Sequence, residues 1–330
     1  MHFLLLILGL AVIIKSADVL IDSASKIARR YGVSSFIIGI TVIAFGTSAP
    51  ELAVGIMSGI NHTNRLTLGN IIGSSLSNIA LIIGLSAVIF PLQVKDTVVK
   101  RELPILVVIQ IALGLMLFWD GQLSRTEGFI LLCAFVLFMI YISRDARKSM
   151  KIQIDAEGDI DTDGDGNGLA MESTGDQKSS GVIRLWCYSL LSLAGLFMGG
   201  KMTVDSSTQI AQSFGLSETL IGLTVVALAT TMPELITSIT AVIKKEPDIV
   251  VGNCIGSNIF NILLVLGFSS VLSPIPADGG LWIDVTTMLA LTLFVFTMSL
   301  FRKKLQRLTG VLLLAGYMAY LSFKIISALA

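Results

Sequence analysis

Residues 42–54 read VIAFGTSAPELAV, and Glu51 is the one charged residue between positions 36 and 60. A proline lacks the backbone N–H, and its ring clashes with the carbonyl four residues back. Pro50 is therefore expected to free the carbonyl of Gly46 and to tilt that of Thr47. Irregular backbone and a carboxylate at membrane depth are tolerated only where they are buried in protein or line a cavity. Residues 225–237, VVALATTMPELIT, pose the same problem again with Pro233 and Glu234, next to the carbonyls of Ala229 and Thr230.

The two stretches belong to one duplication. Shifted by 183 positions, residues 36–85 lie over 219–268 without a gap, and 20 of 50 positions are identical. Chance similarity between apolar segments would match Leu, Ile and Val. Here the matches include Pro50 with Pro233, Glu51 with Glu234, Asn70 with Asn253, Ser74 with Ser257 and Asn78 with Asn261.

The composition sets the solvent. Of 330 residues 54% are apolar and 14% charged, with a mean hydropathy of +0.84; soluble domains carry about 25% charged residues. The apolar residues fall into runs at 3–21, 36–60, 67–90, 103–119, 127–142, 185–205, 219–243, 249–272, 281–300 and 308–328. A span of the hydrocarbon takes roughly 20 helical residues. The sequence thus predicts an all-α membrane protein of ten transmembrane helices. Residues 1–142 form a first five-helix repeat, 143–184 an acidic loop, and 185–330 a second five-helix repeat. An odd number of spans per repeat inverts the second relative to the first, and such pairs place a site near the midplane at their interface. The first run reads as a retained span, because it lacks a basic start and Lys15 and Asp18 interrupt a cleavage zone. With both termini outside, 18 Lys and Arg face inward and 3 outward, namely Arg65, Arg125 and Lys324. By the positive-inside rule the long central loop is then cytoplasmic.

Two glutamates and two freed carbonyls supply six oxygens, and Ca²⁺ takes about 6–8 oxygen ligands. Thr47, Ser48, Ser74, Asn78, Thr230, Thr231, Ser257 and Asn261 add neutral oxygens. Ser74 and Asn78 share a helix face at i,i+4, as do Ser257 and Asn261. The set holds hard oxygen donors with no His or Cys, which suits Na⁺ or Ca²⁺ over zinc or copper. A proline kink with structural glutamates would explain one such site; the duplication argues against it for two.

GTSAPEL and GNIIGS, with their second copies ATTMPEL and GNCIGS, resemble the α-repeats of the Ca²⁺/cation antiporter superfamily, most closely its Na⁺/Ca²⁺ exchanger branch. The resemblance covers both repeats and, through the ten-span layout, nearly the whole chain. It implies a bacterial-type inner (plasma) membrane location and alternating access. Ca²⁺ and Na⁺ would be the transported ions, with no cofactor and no obligate protein partner. It implies Glu51 and Glu234 as central ligands and Thr47 and Thr230 as carbonyl donors to Ca²⁺. Ala44, Ser48, Ser74, Asn78, Ala227, Thr231, Ser257 and Asn261 would line flanking Na⁺ positions. The first and sixth helices would slide across the core, which suits Gly199–Gly200. Two departures stand out. The second motif is ATTMPE where the family pattern is GTSxPE, so Ala229 and Thr231 alter one Na⁺ position. Position 261 is Asn where some relatives carry Asp, which leaves two fixed charges in place of three.

Three other readings compete. Proton-coupled Ca²⁺ antiporters of the superfamily typically carry a glutamate in a GNxxE-type motif without this Pro-Glu order. A passive channel needs no inverted pair of identical sites. An enzyme would need catalytic spacing, but His2 and His62 are the only histidines and lie away from span centres, and no HExxH, GxSxG or P-loop spacing occurs. Cys133, Cys187 and Cys254 fall in apolar runs and read as small core residues. Asp22 with Lys26 and Lys201 with Asp205 have i,i+4 spacing and are expected to pair along their own helices.

The central loop holds eight acids and no Lys or Arg between positions 155 and 176. Within it DTDGDGNGLAME, positions 161–172, fits the Ca²⁺ loop D-x-D-x-D-G-x₅-E, with Asp161, Asp163, Asp165, Asn167 and Glu172 at ligand positions. The alternative is a solvated acidic linker.

Overall fold

A computed structural model describes residues 2–60, 65–158, 175–213, 227–277 and 281–329. Helix dominates because every backbone polar group within hydrocarbon must be satisfied inside its own segment. The helices are α1 (His2–Tyr31), α2 (Ser35–Thr47), α3 (Ala49–Ile60), α4 (Thr67–Ile89), α5 (Val98–Trp119) and α6 (Arg125–Gly158). They continue with α7 (Gly175–Ser213), the single turn α8 (Ala227–Thr230), α9 (Met232–Ile243), α10 (Pro247–Leu272), α11 (Leu281–Arg302) and α12 (Arg307–Leu329). Among the described residues eight helices are long and apolar enough to cross a membrane, and nine if α2 and α3 are one bent span.

Several helices outrun the apolar runs. The first apolar run ends at 21 and the helix at Tyr31; α6 continues past 142 to Gly158; α7 starts at Gly175 and not 185. Hydrogen bonding along a helix continues wherever water can take over from lipid, so the apolar run marks the membrane and not the helix end. Loop residues Asp161, Asp163, Asp165, Asn167 and Glu172 lie outside the described residues, as do residues 219–226 of the seventh expected span.

α4 and α10 form the centre. Every residue from Ile249 to Phe260 in α10 is buried, so this apolar helix meets protein on all sides. Gly39 of α2 and Gly252 and Gly256 of α10 bring the two backbones together. A Cβ on Gly252 would come within 2.5 Å of the Phe36 carbonyl oxygen. Outside this centre, α5, α6, α7 and α12 carry exposed Phe118, Leu137, Leu191 and Ile326, as lipid-facing helices should. Cys254 sits in the core, but Cys133 and Cys187 are exposed on the outer helices, where a small apolar thiol meets lipid and not packed side chains.

Two short antiparallel pairings clip the connections. Leu92 and Gln93 pair with Leu305 and Lys304; Gln122 and Leu123 pair with Pro276 and Ile275. Leu92 and Ile275 are 183 apart, so the first clip of one half recurs in the other.

Candidate ion-binding site

The helix break is where the sequence placed it. α2 and α3 meet at 45° across Ser48. Ser48 has φ −80° and ψ 3°, and Thr231, between α8 and α9, has φ −82° and ψ −4°. The hydrogen-bond ladder resumes at once: Leu52 N–H donates to the Ser48 carbonyl at 3.0 Å and Leu235 N–H to that of Thr231 at 3.0 Å. Pro50 and Pro233 lie in the first turn beyond each break, where a missing N–H costs least. Glu51 and Glu234 also fall in that first turn, next to the positive end of the new helix.

Both carboxylates are fully buried at 0% exposure. Ser74 Oγ of α4 donates to Glu51 Oε1 at 3.3 Å and lies 3.0 Å from Thr231 Oγ1. Ser48 Oγ donates to Glu234 Oε1 at 3.4 Å. Thr230 is within hydrogen-bonding reach of Glu51, and Thr47 within reach of Glu234. Each glutamate is thus held partly by the other Pro-Glu segment. Two carboxylates ionised so close together would repel one another, and Oε2 of each is buried with no hydrogen-bond partner inside the protein. Buried polar atoms are nearly always partnered, so two orphaned carboxylate oxygens mark a place that a cation suits.

Side chains of α4 and α10 hold the threonines. Thr47 Oγ1 donates to Asn253 Oδ1 at 3.1 Å and lies 3.4 Å from Ser257 Oγ, while Thr230 Oγ1 donates to Asn70 Oδ1 at 3.4 Å. Asn253 in turn donates to Ser238 Oγ at 3.1 Å. Asn78 and Asn261 sit in wide π turns, Ser77–Ile82 of α4 and Asn261–Leu266 of α10, a distortion often found at functional sites.

Of the expected site residues, Ala44, Thr47, Ser48, Glu51, Ser74, Asn78, Thr230, Thr231, Glu234, Ser257 and Asn261 are all buried. Ala227 opens α8, and its side chain lies outside what is described. Sequence reasoning left Asn70, Asn253 and Asn258 out of the site. The first two were visible in the duplication as a matched pair; Asn258 had no such signal, because Ser75 stands opposite it. Among the described residues no group of three His, Cys, Asp or Glu is placed to hold a metal ion.

Two other expectations are corrected. Asp22 does not pair with Lys26; Lys244, just past α9, reaches across to Asp18 at 2.6 Å and Asp22 at 2.7 Å. Lys201 and Asp205 form no ion pair among the described residues. An i,i+4 pair is worth only about 0.2–0.5 kcal/mol, so a tertiary partner easily displaces it. Burial pulls the Lys244 ammonium down, but the two aspartates outweigh it and leave its pKa above the usual lysine value.

Fold and site together define a multi-pass helical membrane transporter with an oxygen-lined, doubly acidic centre, and not an enzyme. The sodium/calcium exchanger protein family matches residues 1–144 and 184–326, and the chain belongs to that family. It is 36% identical over 96% of its length to the inner membrane protein YrbG of Escherichia coli, covering 95% of that protein. It is 30% identical to the sodium/calcium exchanger MaX1 of Methanosarcina acetivorans, covering 97% of each. Among solved structures it superposes on the sodium-calcium exchanger NCX_Mj, soaked with Na⁺ and Sr²⁺, with a TM-score of 0.79 and 28% identity over 97% of both chains.

Proposed function

We propose that this protein exchanges Ca²⁺ for Na⁺ by alternating access, using Glu51 and Glu234 as paired ligands near the membrane midplane. The observation that carries the reading is the crossed holding of the two carboxylates, Glu234 by Ser48 and Glu51 by Thr230, each on the first turn of a half-helix behind a break of the same torsions. A divalent cation between them cancels their mutual repulsion and fills the orphaned Oε2 atoms. Monovalent cations can do so only in numbers and at displaced positions, which makes the two cargoes compete. Thr47 and Thr230 contribute carbonyls to Ca²⁺. Ala44, Ser48, Ser74, Asn78, Ala227, Thr231, Ser257 and Asn261 line the Na⁺ positions.

The architecture for this is ten spans in two inverted five-helix repeats, 1–142 and 185–330, joined by the acidic segment 143–184. The matching breaks at Ser48 and Thr231 and the recurring strand clips support it. The charge count supports both termini outside and the loop in the cytoplasm, where Asp161, Asp163, Asp165, Asn167 and Glu172 would bind Ca²⁺ and modulate exchange. Packing supports a sliding role for α1 and α7. A Cβ on Gly200 would lie 3.2 Å from Pro50 Cγ and 3.3 Å from Pro233 Cγ, so α7 runs bare over both breaks. The test is Ca²⁺ uptake into proteoliposomes with Na⁺, H⁺ and K⁺ gradients imposed separately. Uptake driven by the Na⁺ gradient is expected. Uptake driven only by H⁺ would replace Na⁺ as the counter-ion, since the same carboxylates can carry protons.

A further inference from the structure

The wide π turns Ser77–Ile82 of α4 and Asn261–Leu266 of α10 lie beside the site, and each is backed by an outer helix of the other half. α12 backs α4. A Cβ on Gly310 would come within 2.5 Å of the Gly84 carbonyl oxygen, so the two helices cross in backbone contact. Seven residues on along α12, and seven back along α4, Tyr317 Oη and Ser77 Oγ share a hydrogen bond of 2.7 Å. Both side chains are buried, and either hydroxyl can be the donor, so the bond stands whichever way its proton points. α6 backs α10 by the same geometry. A Cβ on Gly128 would lie 2.8 Å from the Gly267 carbonyl oxygen. Seven residues on, and seven back, Phe135 meets Phe260 edge to face with ring centroids 5.1 Å apart. Ser77 and Phe260 are matched positions, 183 apart. The crossing and the second contact recur in both halves, but a hydroxyl pair in one is a pair of rings in the other.

We infer that Tyr317 and Phe135 are positioning residues of the ion site: from outside the cavity they fix the turns at which α4 and α10 present their polar side chains to the two carboxylates. A π turn closes i→i+5 hydrogen bonds, is rare, and occurs mostly as a single turn inside an α-helix, so its shape depends on what packs against it. Ser77 lies one turn past Ser74, whose hydroxyl donates to Glu51 Oε1 at 3.3 Å. Released from Tyr317, Ser77 Oγ can turn back on a carbonyl of the preceding turn, a bond that bends helices, and the bend re-aims Ser74. Side chains held in the productive geometry by such outer contacts bind with less ordering cost. This rests on the exchange reading and extends it to two helices that supply no ligand.

Tyr317→Phe removes one oxygen and keeps the ring. It is expected to raise the half-saturating concentrations of Na⁺ and Ca²⁺ together, about three- to tenfold, the worth of one buried hydrogen bond, because both ions use Glu51. The maximal rate should stay within about twofold. Ser77→Ala should give the same shift, and the two substitutions together no more than one alone, since they delete a single bond. Phe135→Leu keeps an apolar side chain without the ring pair and should move both concentrations the same way, about two- to tenfold. Tyr320→Phe is the control: it deletes a bond of 2.9 Å from the same helix, to Asp284 on α11 and not to α4, and should leave both concentrations unchanged. Measurements use the full-length protein in proteoliposomes, with thermal unfolding of each purified variant alongside. Unchanged half-saturating concentrations in Tyr317→Phe or Phe135→Leu overturn the assignment of that residue, whatever the unfolding temperature does. An equal shift in Tyr320→Phe overturns it too, as the mark of a helix merely loosened, and so do single shifts of Tyr317→Phe and Ser77→Ala that multiply in the double variant. A parent protein that takes up no Ca²⁺ under a Na⁺ gradient overturns the exchange reading itself; a parent that does, with variants that match it, overturns this inference alone.

Discussion

The two Pro-Glu segments solve one backbone problem identically and then live in different surroundings. Ser48 and Thr231 take nearly the same torsions, and the carboxylate follows three residues later in both. Beyond the break the halves diverge. Just past α9, Lys244 grips Asp18 and Asp22 of α1. The position 183 residues earlier is Asn61, which has no charge to offer. Farther out, Tyr141 on α6 donates to the buried Glu102 on α5 at 3.0 Å, whereas Lys324 on α12 pairs with Asp284 on α11 at 2.9 Å. Positions 141 and 324 correspond, being 183 apart, whereas Asp284 falls opposite Arg101 and not Glu102; a phenol in one half stands where an ammonium stands in the other. Chemistry at the centre is duplicated; what couples the centre to its frame is not.

The largest effect should test the duplicated part. Glu51→Gln and Glu234→Gln are each expected to lower Na⁺-driven Ca²⁺ flux at least about 100-fold, since losing one member of a buried charge constellation costs about 3–5 kcal/mol. Insertion and yield should survive, because the amide keeps the shape and the hydrogen bonds from Ser74 or Ser48. Near-normal flux in either variant would end the symmetric two-carboxylate picture. A large loss in one alone would leave a site carried by a single repeat.

Next comes the helix that touches both breaks. Gly200→Ala places a methyl 3.2 Å from Pro50 Cγ and 3.3 Å from Pro233 Cγ. Those atoms belong to rigid rings and cannot swing aside as a leucine end can. Overpacking of that kind costs about 1–3 kcal/mol. Exchange should slow by about tenfold, with half-saturating Na⁺ and Ca²⁺ little changed, because no ligand moves. Altered ion affinities at unchanged maximal rate would place Gly200 in the site and not in the motion.

How much of this could be read from the sequence follows the same division. The breaks, the glutamates, Asn70 with Asn253 and the membrane class were legible because proline chemistry and a duplicated polar pattern are local signals. Asn258 was not, since its contact is with Asn78, 180 residues away, and Ser75 stands at its place in the first repeat. The partner of Asp22 was misjudged for a related reason: i,i+4 spacing made it look satisfied by Lys26, whereas Lys244 takes it. Helix ends were misplaced by up to ten residues in α1 and α7, where polar turns continue beyond the lipid.

The Lys244 tie gives a smaller effect. Lys244→Gln removes ion pairs that join α1 to the end of α9, on side chains still partly open to water. Such pairs are worth about 0–1 kcal/mol, so exchange should change by no more than about fivefold. The rate should become less sensitive to ionic strength, as screening no longer has that contact to weaken. Because Asn61 cannot mirror this tie, the variant makes the two halves more alike. If α1 is held mainly at the α9 side, Lys244→Gln should speed the step that separates them, visible as a higher maximal rate at unchanged Ca²⁺ affinity. An unchanged rate at all ionic strengths would make the contact incidental.

The smallest effect separates the halves at the centre itself. Thr231→Ser turns ATTMPE towards the first repeat's GTSAPE, and Ser48→Thr does the reverse. Both keep the hydroxyl, which in Ser48 reaches Glu234 at 3.4 Å and in Thr231 lies 3.0 Å from Ser74. What changes is one methyl in a fully packed pocket. Removing it from Thr231 leaves a void smaller than a methylene's worth of burial, about 0.8 kcal/mol at most, and should relax the Na⁺ position by about twofold in half-saturating concentration. Adding it at Ser48, buried between α2 and α3, must displace a neighbour and should cost somewhat more than the deletion. Neither touches the carbonyls of Thr47 and Thr230, so Ca²⁺ affinity should stay put in both. The measurement is the Na⁺ dependence of exchange for each single variant and for the pair. If the halves are equivalent at this position, the double swap should read as the parent. If Ca²⁺ affinity moves while Na⁺ does not, the hydroxyls at 48 and 231 belong to the divalent site, and the division of ligands between the two ions has to be redrawn.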